Sequence, residues 1–321
     1  AFLPRALADH IDGIHFFRIG TASTAGTYFP VGGMIASAIS NPPGSRPCKD
    51  GGSCGVPGLI AVATATHGSV ANVEALQAGR IDSAFSQSDV AYWAYSGQGI
   101  FRDNEPLTKL RAIANLYPET VHLVVRRGSG IARPADLAGK RVSLDVEGSG
   151  TRVDALLVLK AFGLEPRDLE AVDMPAGDAA DALREDELDA FFLVAGAPVA
   201  AVTDLAADGL VDLLPIDDKV AAKLQADYPF FGSDMIGPGT YRSIGATPTL
   251  SVGAQWLTSS EQSEQLIYEI TKALWNDNSR ILLDRGHEKG RRIRLETALE
   301  GIGIPLHPGA ERYYREIGLL P

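Results

Sequence analysis

One pattern recurs in the two halves of this chain: a short apolar strand, a polar turn rich in Gly, Ser and Thr, and then a helix. Residues 16–20 (Phe-Phe-Arg-Ile-Gly) read as the strand, 21–28 as the turn and 29–40 as the helix, with Pro30 suited to a first helical turn and Asn41-Pro42-Pro43-Gly44 ending it. The pattern returns with a strand at 141–146, a turn at 147–151 and a helix at 152–162. There Val153, Leu156 and Leu157 share a face and Gly163 is placed to close the helix.

A second module is also duplicated. A helix at 70–78 closed by Gly79 leads to a strand at 81–86, and Ser88-Asp89 are placed to cap the next helix. Later a helix at 179–187 precedes a strand at 190–194, and Ala195-Gly196-Ala197-Pro198 opens a helix to about 207. Matching order with differing identities predicts an α/β fold of two similar lobes, each built on a parallel sheet. Ligands of such sheets sit at the carboxyl ends of strands, near helix N-termini. Extended runs at 120–125 and 249–254 are the expected crossings between lobes, and two crossings make a hinge. The expected division is 1–125 with 246–321 as lobe 1 and 126–245 as lobe 2. Helices are also expected at 266–274 and 313–317.

A chain of 321 residues suits two domains. The net charge of −11, with no block of Lys or Arg, speaks against nucleic acid and anionic lipid as partners. No apolar run approaches the roughly 20 residues that span a bilayer, so no direct membrane insertion is expected. Ala1-Phe2-Leu3-Pro4-Arg5 reads as a processed end from which an export signal has been removed. Cys48 and Cys54 flank a flexible Lys-Asp-Gly-Gly-Ser stretch, and the pair reads as a local disulfide in an oxidising compartment. Two reduced thiols are the other reading. A metal site would need further ligands nearby.

Several catalytic signatures fail on context. Gly51-Gly52-Ser53-Cys54-Gly55 fits a nucleophile elbow, but loop precedes it where a strand is needed. Gly148-Ser149-Gly150 begins a dinucleotide fingerprint that Val153 breaks. The turn at 20–27 resembles a phosphate loop lacking its Lys, the six His are scattered without an HExxH, and His122 sits in an apolar strand as a structural group. What remains is a set of polar turns before helices at 21–28, 87–89, 149–152 and 195–197, whose free N–H groups suit an anion. Thr27, Tyr28, Ser88 and Thr151 add hydroxyls, and Arg152 adds a fork suited to a carboxylate. The alternative is that each turn only caps its own helix.

These segments, Ile19-Gly20-Thr21, Gly26-Thr27-Tyr28-Phe29-Pro30, Gln87-Ser88-Asp89, Leu116-Tyr117-Pro118-Glu119, Gly148-Ser149-Gly150-Thr151-Arg152 and Ile304-Pro305-Leu306-His307-Pro308-Gly309-Ala310, resemble the TAXI family. Its members are solute-binding receptors of tripartite ATP-independent periplasmic (TRAP) transporters. The likeness runs from about residue 16 to the C-terminus, and the Cys48–Cys54 insertion resembles a feature of some members. It implies a two-lobed periplasmic-binding-protein fold of type II, a periplasmic monomer and delivery of a small organic acid such as glutamate or 2-oxoglutarate to TRAP membrane subunits. It implies no catalysis and no cofactor. Carried over residue by residue, it places Thr27, Tyr28, Gln87, Ser88, Ser149, Thr151 and Arg152 nearest the ligand. Thr21, Ser23, Gly150 and Gly196 complete the candidate set from the same turns. The receptor of an ATP-driven importer is the alternative within the class, and an enzyme on a small anion the alternative outside it.

Overall fold

The computed structural model describes residues 10–11 and 13–321. The processed-end reading of residues 1–5 lies outside the described residues. From the N-terminal side the main elements are β1 (Ile14–Gly20), α1 (Tyr28–Ile39), β2 (Leu59–Thr64), α2 (Ser69–Gln77), β3 (Ser83–Gln87) and α3 (Ser88–Ser96). A 17-residue strand, β4 (Leu110–Arg126), leads onward. Then come β5 (Arg141–Ser143), α4 (Gly150–Phe162), β6 (Glu170–Val172), α5 (Ala176–Arg184), β7 (Ala190–Ala195), α6 (Ala200–Ala207), β8 (Val211–Leu213), α7 (Asp218–Asp227) and β9 (Gly232–Ile236). A second long strand, β10 (Thr247–Ser259), returns, followed by α8 (Glu264–Leu274), α9 (Asp277–Gly286) and α10 (Pro308–Glu316).

The fold is the expected mixed α/β build in two lobes, but the sheet differs from two separate parallel ones. β1 is parallel to β2 and β3, and β5 is parallel to β6 and β7. Between these sets run β4 and β10, antiparallel to each other from Ser251 opposite Thr120 to Ser259 opposite Leu110. β10 also pairs antiparallel with β3, and β7 pairs antiparallel with β4, so one mixed sheet continues through both lobes. The reason is that both crossings are themselves strands. They run in opposite directions, and each must satisfy its backbone groups in either lobe.

The side chains change core along these strands. On β4, Tyr117 packs with Phe17, Ile35 and Trp256, whereas Val121 and Leu123 pack with Val142, Leu159 and Phe192. On β10 the change falls between Val252 and Ala254. Register shifts between Ala254 and Gln255 and between Trp256 and Leu257 lie just inside lobe 1, where such irregularities bend a strand. The lobes also touch away from the strands. Trp93 of α3 meets Tyr228 and Phe230 edge to face at 6.0 and 5.6 Å between ring centres.

Some boundaries move for visible reasons. The strand expected at 141–146 ends at Ser143, because Asp145 takes a left-handed φ of 71°. The helix expected at 179–187 starts at Ala176, and the C-terminal helix starts at Pro308, capped by the His307 ring accepting from the Gly309 N–H. The helix after Pro198 begins only at Ala200.

Cys48 and Cys54 are disulfide-bonded, and their loop lies against Asn276 and Asn278 beside α9. Closing so short a loop contributes roughly 2 kcal/mol. The loop is remote from the cavity described below, so reduction is expected to lower Tm while leaving ligand affinity within about twofold. Calorimetry with and without reductant checks this, and a large loss of affinity would place the loop in the binding machinery.

Candidate functional site

A cavity of about 340 Å³ opens between the lobes. Lobe 1 contributes Ala22–Tyr28 positions before and at the start of α1, the segment 65–69 leading into α2, Gln87 at the end of β3, and Glu119 on β4. Lobe 2 contributes Asp145, Val146 and Ser149–Thr151 positions entering α4, Pro175 and Ala176 entering α5, and Leu193–Ala195 positions ending β7. Helix starts at Tyr28, Ser69, Gly150 and Ala176 therefore face one space, two from each lobe.

Their caps are informative. Ser149 accepts from the Arg152 N–H at 3.0 Å and caps α4. Thr27, Gly68 and Pro175, the residues at the N-cap positions of α1, α2 and α5, make no capping side-chain bond. Thr27 Oγ1 instead donates 2.7 Å to the Gly196 carbonyl, tying lobe 1 to lobe 2. Three of these helix starts thus leave N–H groups uncapped by side chains at the cavity, with the positive end of the helix dipole behind them.

Ser23, Thr27, Tyr28, Gln87, Ser149, Gly150 and Thr151 line the cavity. Thr151 Oγ1 accepts from the Val194 N–H at 3.0 Å, and its hydroxyl also hydrogen-bonds the Asp145 carboxyl. Gln87 is buried, and its Oε1 has no hydrogen-bond partner among the described residues. The other four candidates lie outside the lining. Thr21 is fully buried, with Oγ1 donating 2.7 Å to the Thr64 carbonyl. Ser88 Oγ accepts from the Gly253 N–H at 3.2 Å instead of capping α3. Gly196 presents its carbonyl to Thr27, and a Cβ there would lie 2.6 Å from Lys289 Cγ. Arg152 turns away: its guanidinium donates to the Asp145 carbonyl at 3.3 Å and pairs with Asp173. The left-handed turn at Asp145 places that carbonyl within reach.

Among the described residues, no Lys or Arg side chain lines the cavity; its ionisable side chains are Tyr28, His67, Glu119 and Asp145. Glu119 is buried and accepts from the Tyr28 hydroxyl at 2.5 Å. Burial pushes its carboxyl up to about 8, outweighing that hydrogen bond. Burial likewise pushes Asp145 up to about 6. At neutral pH Glu119 is a neutral acid able to donate to an anion. The sequence signal for Glu119 was a carboxylate inside a long β-forming run, within a motif already singled out.

The two lobes meet tightly at the cavity wall. A Cβ on Gly150 would overlap Gln87 Oε1 and lie 2.7 Å from Ser69 Oγ, both across the seam. Behind them, Asp89 of α3 and Asp154 of α4 are buried with their carboxyl groups facing each other across the lobes.

Residues 19–318 match the NMT1-like family. The chain belongs to this family. Its fold is also that of solved structures of low identity. MatC from Rhodopseudomonas palustris with bound malate is 13% identical, with a TM-score of 0.56 over 95% of this chain and 97% of that one. PhnD1 from Prochlorococcus marinus in complex with methylphosphonate is 10% identical, with a TM-score of 0.50 over 95% and 99%. A Bordetella bronchiseptica protein is 17% identical, with a TM-score of 0.52 over 94% and 81%. The NMT1-like chain thus has the two-lobed fold of solute-binding proteins, and no helix among its described residues is long and apolar enough to cross a membrane.

Proposed function

We propose that this protein is an extracytoplasmic, non-catalytic receptor that closes its two lobes around a small carboxylate and passes it to membrane subunits of a transporter. The observation that carries this is the convergence of helix N-termini from both lobes on one 340 Å³ cavity, with three lacking side-chain caps. Each N-terminus contributes about 0.3–1 kcal/mol to a nearby anion. Malate in MatC and methylphosphonate in PhnD1 are both small anions, which supports the same chemistry here. Lobes divided at 125/126 and 245/246 and a monomeric state belong to the proposal; the cores change between Tyr117 and Val121 on β4 and between Val252 and Ala254 on β10, which supports a division by these two strands but at points several residues away from those bounds. TRAP subunits and a glutamate- or 2-oxoglutarate-like ligand follow the TAXI resemblance. An ATP-driven importer uses the same kind of receptor, and membrane-subunit genes beside this one separate the two. Mass spectrometry of small molecules released on denaturation is expected to find a mono- or dicarboxylate. A neutral sugar or an organic cation would refute the anion cradle.

The site also predicts a pH dependence. A carboxylate ligand beside neutral Glu119 gains a donor; beside ionised Glu119 it meets a like charge. Affinity is therefore expected to hold below pH 8 and to fall up to about tenfold per pH unit above it, as Glu119 loses its proton near 8. Glu119→Gln keeps a neutral donor and is expected to flatten the profile at near-parental affinity. Calorimetry from pH 6 to 9.5 checks both. A flat parental profile would remove Glu119 from contact with the carboxylate.

A further inference from the structure

Along an extended strand, alternate side chains leave on opposite faces. Glu119 lines the interlobe cavity, while its neighbours Pro118 and Thr120 line a second one of about 290 Å³ behind the hinge. Both lobes build this second cavity: β9 and the turn after it on one side, residues 288–292 on the other. The latter segment is cationic in a chain of net charge −11, and Lys289, Arg291 and Arg292 all line the space.

Lys289 is only 9% exposed, yet among the described residues its ammonium makes no hydrogen bond or ion pair in contact. Burial lowers its pKa, as expected of a charge removed from water without a close partner. Asp234 is the carboxylate that acts most on it, but from beyond contact. The Asp234 oxygens already accept from Thr120 Oγ1 at 2.7 Å and the Met235 N–H at 2.8 Å. Glu288, the other acid in the wall, is exposed.

The segment is held in shape before any ligand arrives. Arg280 donates to the Gly290 carbonyl at 2.7 Å and to that of Ile293, and Arg291 Nε donates 3.1 Å to the Asp284 carbonyl. A Cβ at Gly290 would overlap the Leu283 carbonyl. A rigid cationic segment, one buried ammonium without a contacting counter-charge and a polar space that an ion can enter from solvent together form a preorganised oxyanion site.

We propose that this hinge-side cavity binds a small inorganic oxyanion of the phosphate or sulfate type, separate from the interlobe ligand and spanning both lobes. The probe is inorganic phosphate, titrated calorimetrically at ionic strength held constant with sodium chloride. One saturable site is expected, weakened about tenfold or more in Lys289→Met, which loses a charge-assisted bond. Should Lys289→Met not fold, the doubly substituted Arg291→Ala, Arg292→Ala protein, altered only at exposed positions, is expected to show the same loss. Thr151→Val, which removes a hydroxyl from the interlobe cavity wall without widening the seam, is expected to keep phosphate affinity. No saturable binding over chloride, or phosphate binding unchanged in the lysine and arginine variants, would overturn the site. Loss of phosphate binding in Thr151→Val would instead place the anion in the interlobe cavity and equally overturn it.

Discussion

Gly150→Val is expected to weaken ligand binding by up to about a hundredfold and to hold the lobes apart. The position is the first residue of α4, and its Cα touches lobe 1. A methyl there meets Gln87 Oε1 and Ser69 Oγ; valine adds two further carbons to the same space. Gln87 is 2% exposed and lines the interlobe cavity, so the added side chain either drives its amide into the ligand space or opens the seam, and both weaken binding. Gly150 does not use a left-handed backbone, so the substitution leaves lobe 2 free to fold. Overpacking of this kind costs about 1–3 kcal/mol, and each 1.4 kcal/mol is about tenfold in affinity. Because the strain exists only when the lobes touch, it acts on the closed form and so on binding. Gly150→Ala is expected to lose about tenfold. Small-angle scattering should show a larger radius for the valine variant with ligand present than for the parent. Parental affinity together with a parental radius would mean that ligand capture does not use this lobe contact.

The strand-turn-helix repeat was legible because a strand followed by glycines and hydroxyls needs only local rules, and Ser149 caps α4 where those rules put a cap. The two crossings were legible as β-forming runs, but not their pairing. Nothing local in Leu110–Arg126 says that it lies between β10 and β7, because antiparallel partners are chosen by packing over a long sequence separation. The site was legible to the level of its turns and not of its charges. An arginine in the first turn of a helix looked like the ligand's partner; Asp173, 21 residues later, claims it. Of the two carboxyl groups at the cavity, that of Glu119 comes from a strand, where motif and periodicity mark burial without revealing which space the side chain faces. Asp89 and Asp154 illustrate the same limit. Each sits in the first turns of a helix, where a carboxylate is ordinarily exposed and favourable to the dipole. Only the closed arrangement of the lobes buries them together.

Asp154→Asn is therefore expected to raise stability at alkaline pH. Asp89 and Asp154 are 1% and 0% exposed, and among the described residues no side-chain N–H or O–H donates to their four oxygens. Two carboxyl groups in contact need a proton between them, since both ionised would leave like charges in a dry seam. Burial raises both: Asp89 to about 6, and Asp154 well above the usual carboxylate range, helped by the charges of Asp89 and Glu119. A carboxyl raised on folding stabilises the fold at low pH, and that contribution is lost as pH climbs from the unfolded value, about 4, through the folded one. Buried His122, lowered to about 4, works oppositely below about 6.5, so the carboxyl effect stands alone above that pH. The parental Tm is expected to fall from pH 6.5 to 8.5. In Asp154→Asn the amide donates to Asp89 without borrowing a proton, in nearly the same shape. Relieving an unsatisfied buried group is worth about 1–3 kcal/mol. At about 2–4 °C per kcal/mol, that is a gain of roughly 2–12 °C at pH 8.5. The gain should shrink as pH falls and the parental pair takes up its proton. Comparing the variant with its parent at each pH cancels the histidine contributions. A variant less stable than its parent at pH 8.5, or a difference that does not change with pH, would show that the two carboxyl groups do not share a proton across the lobes.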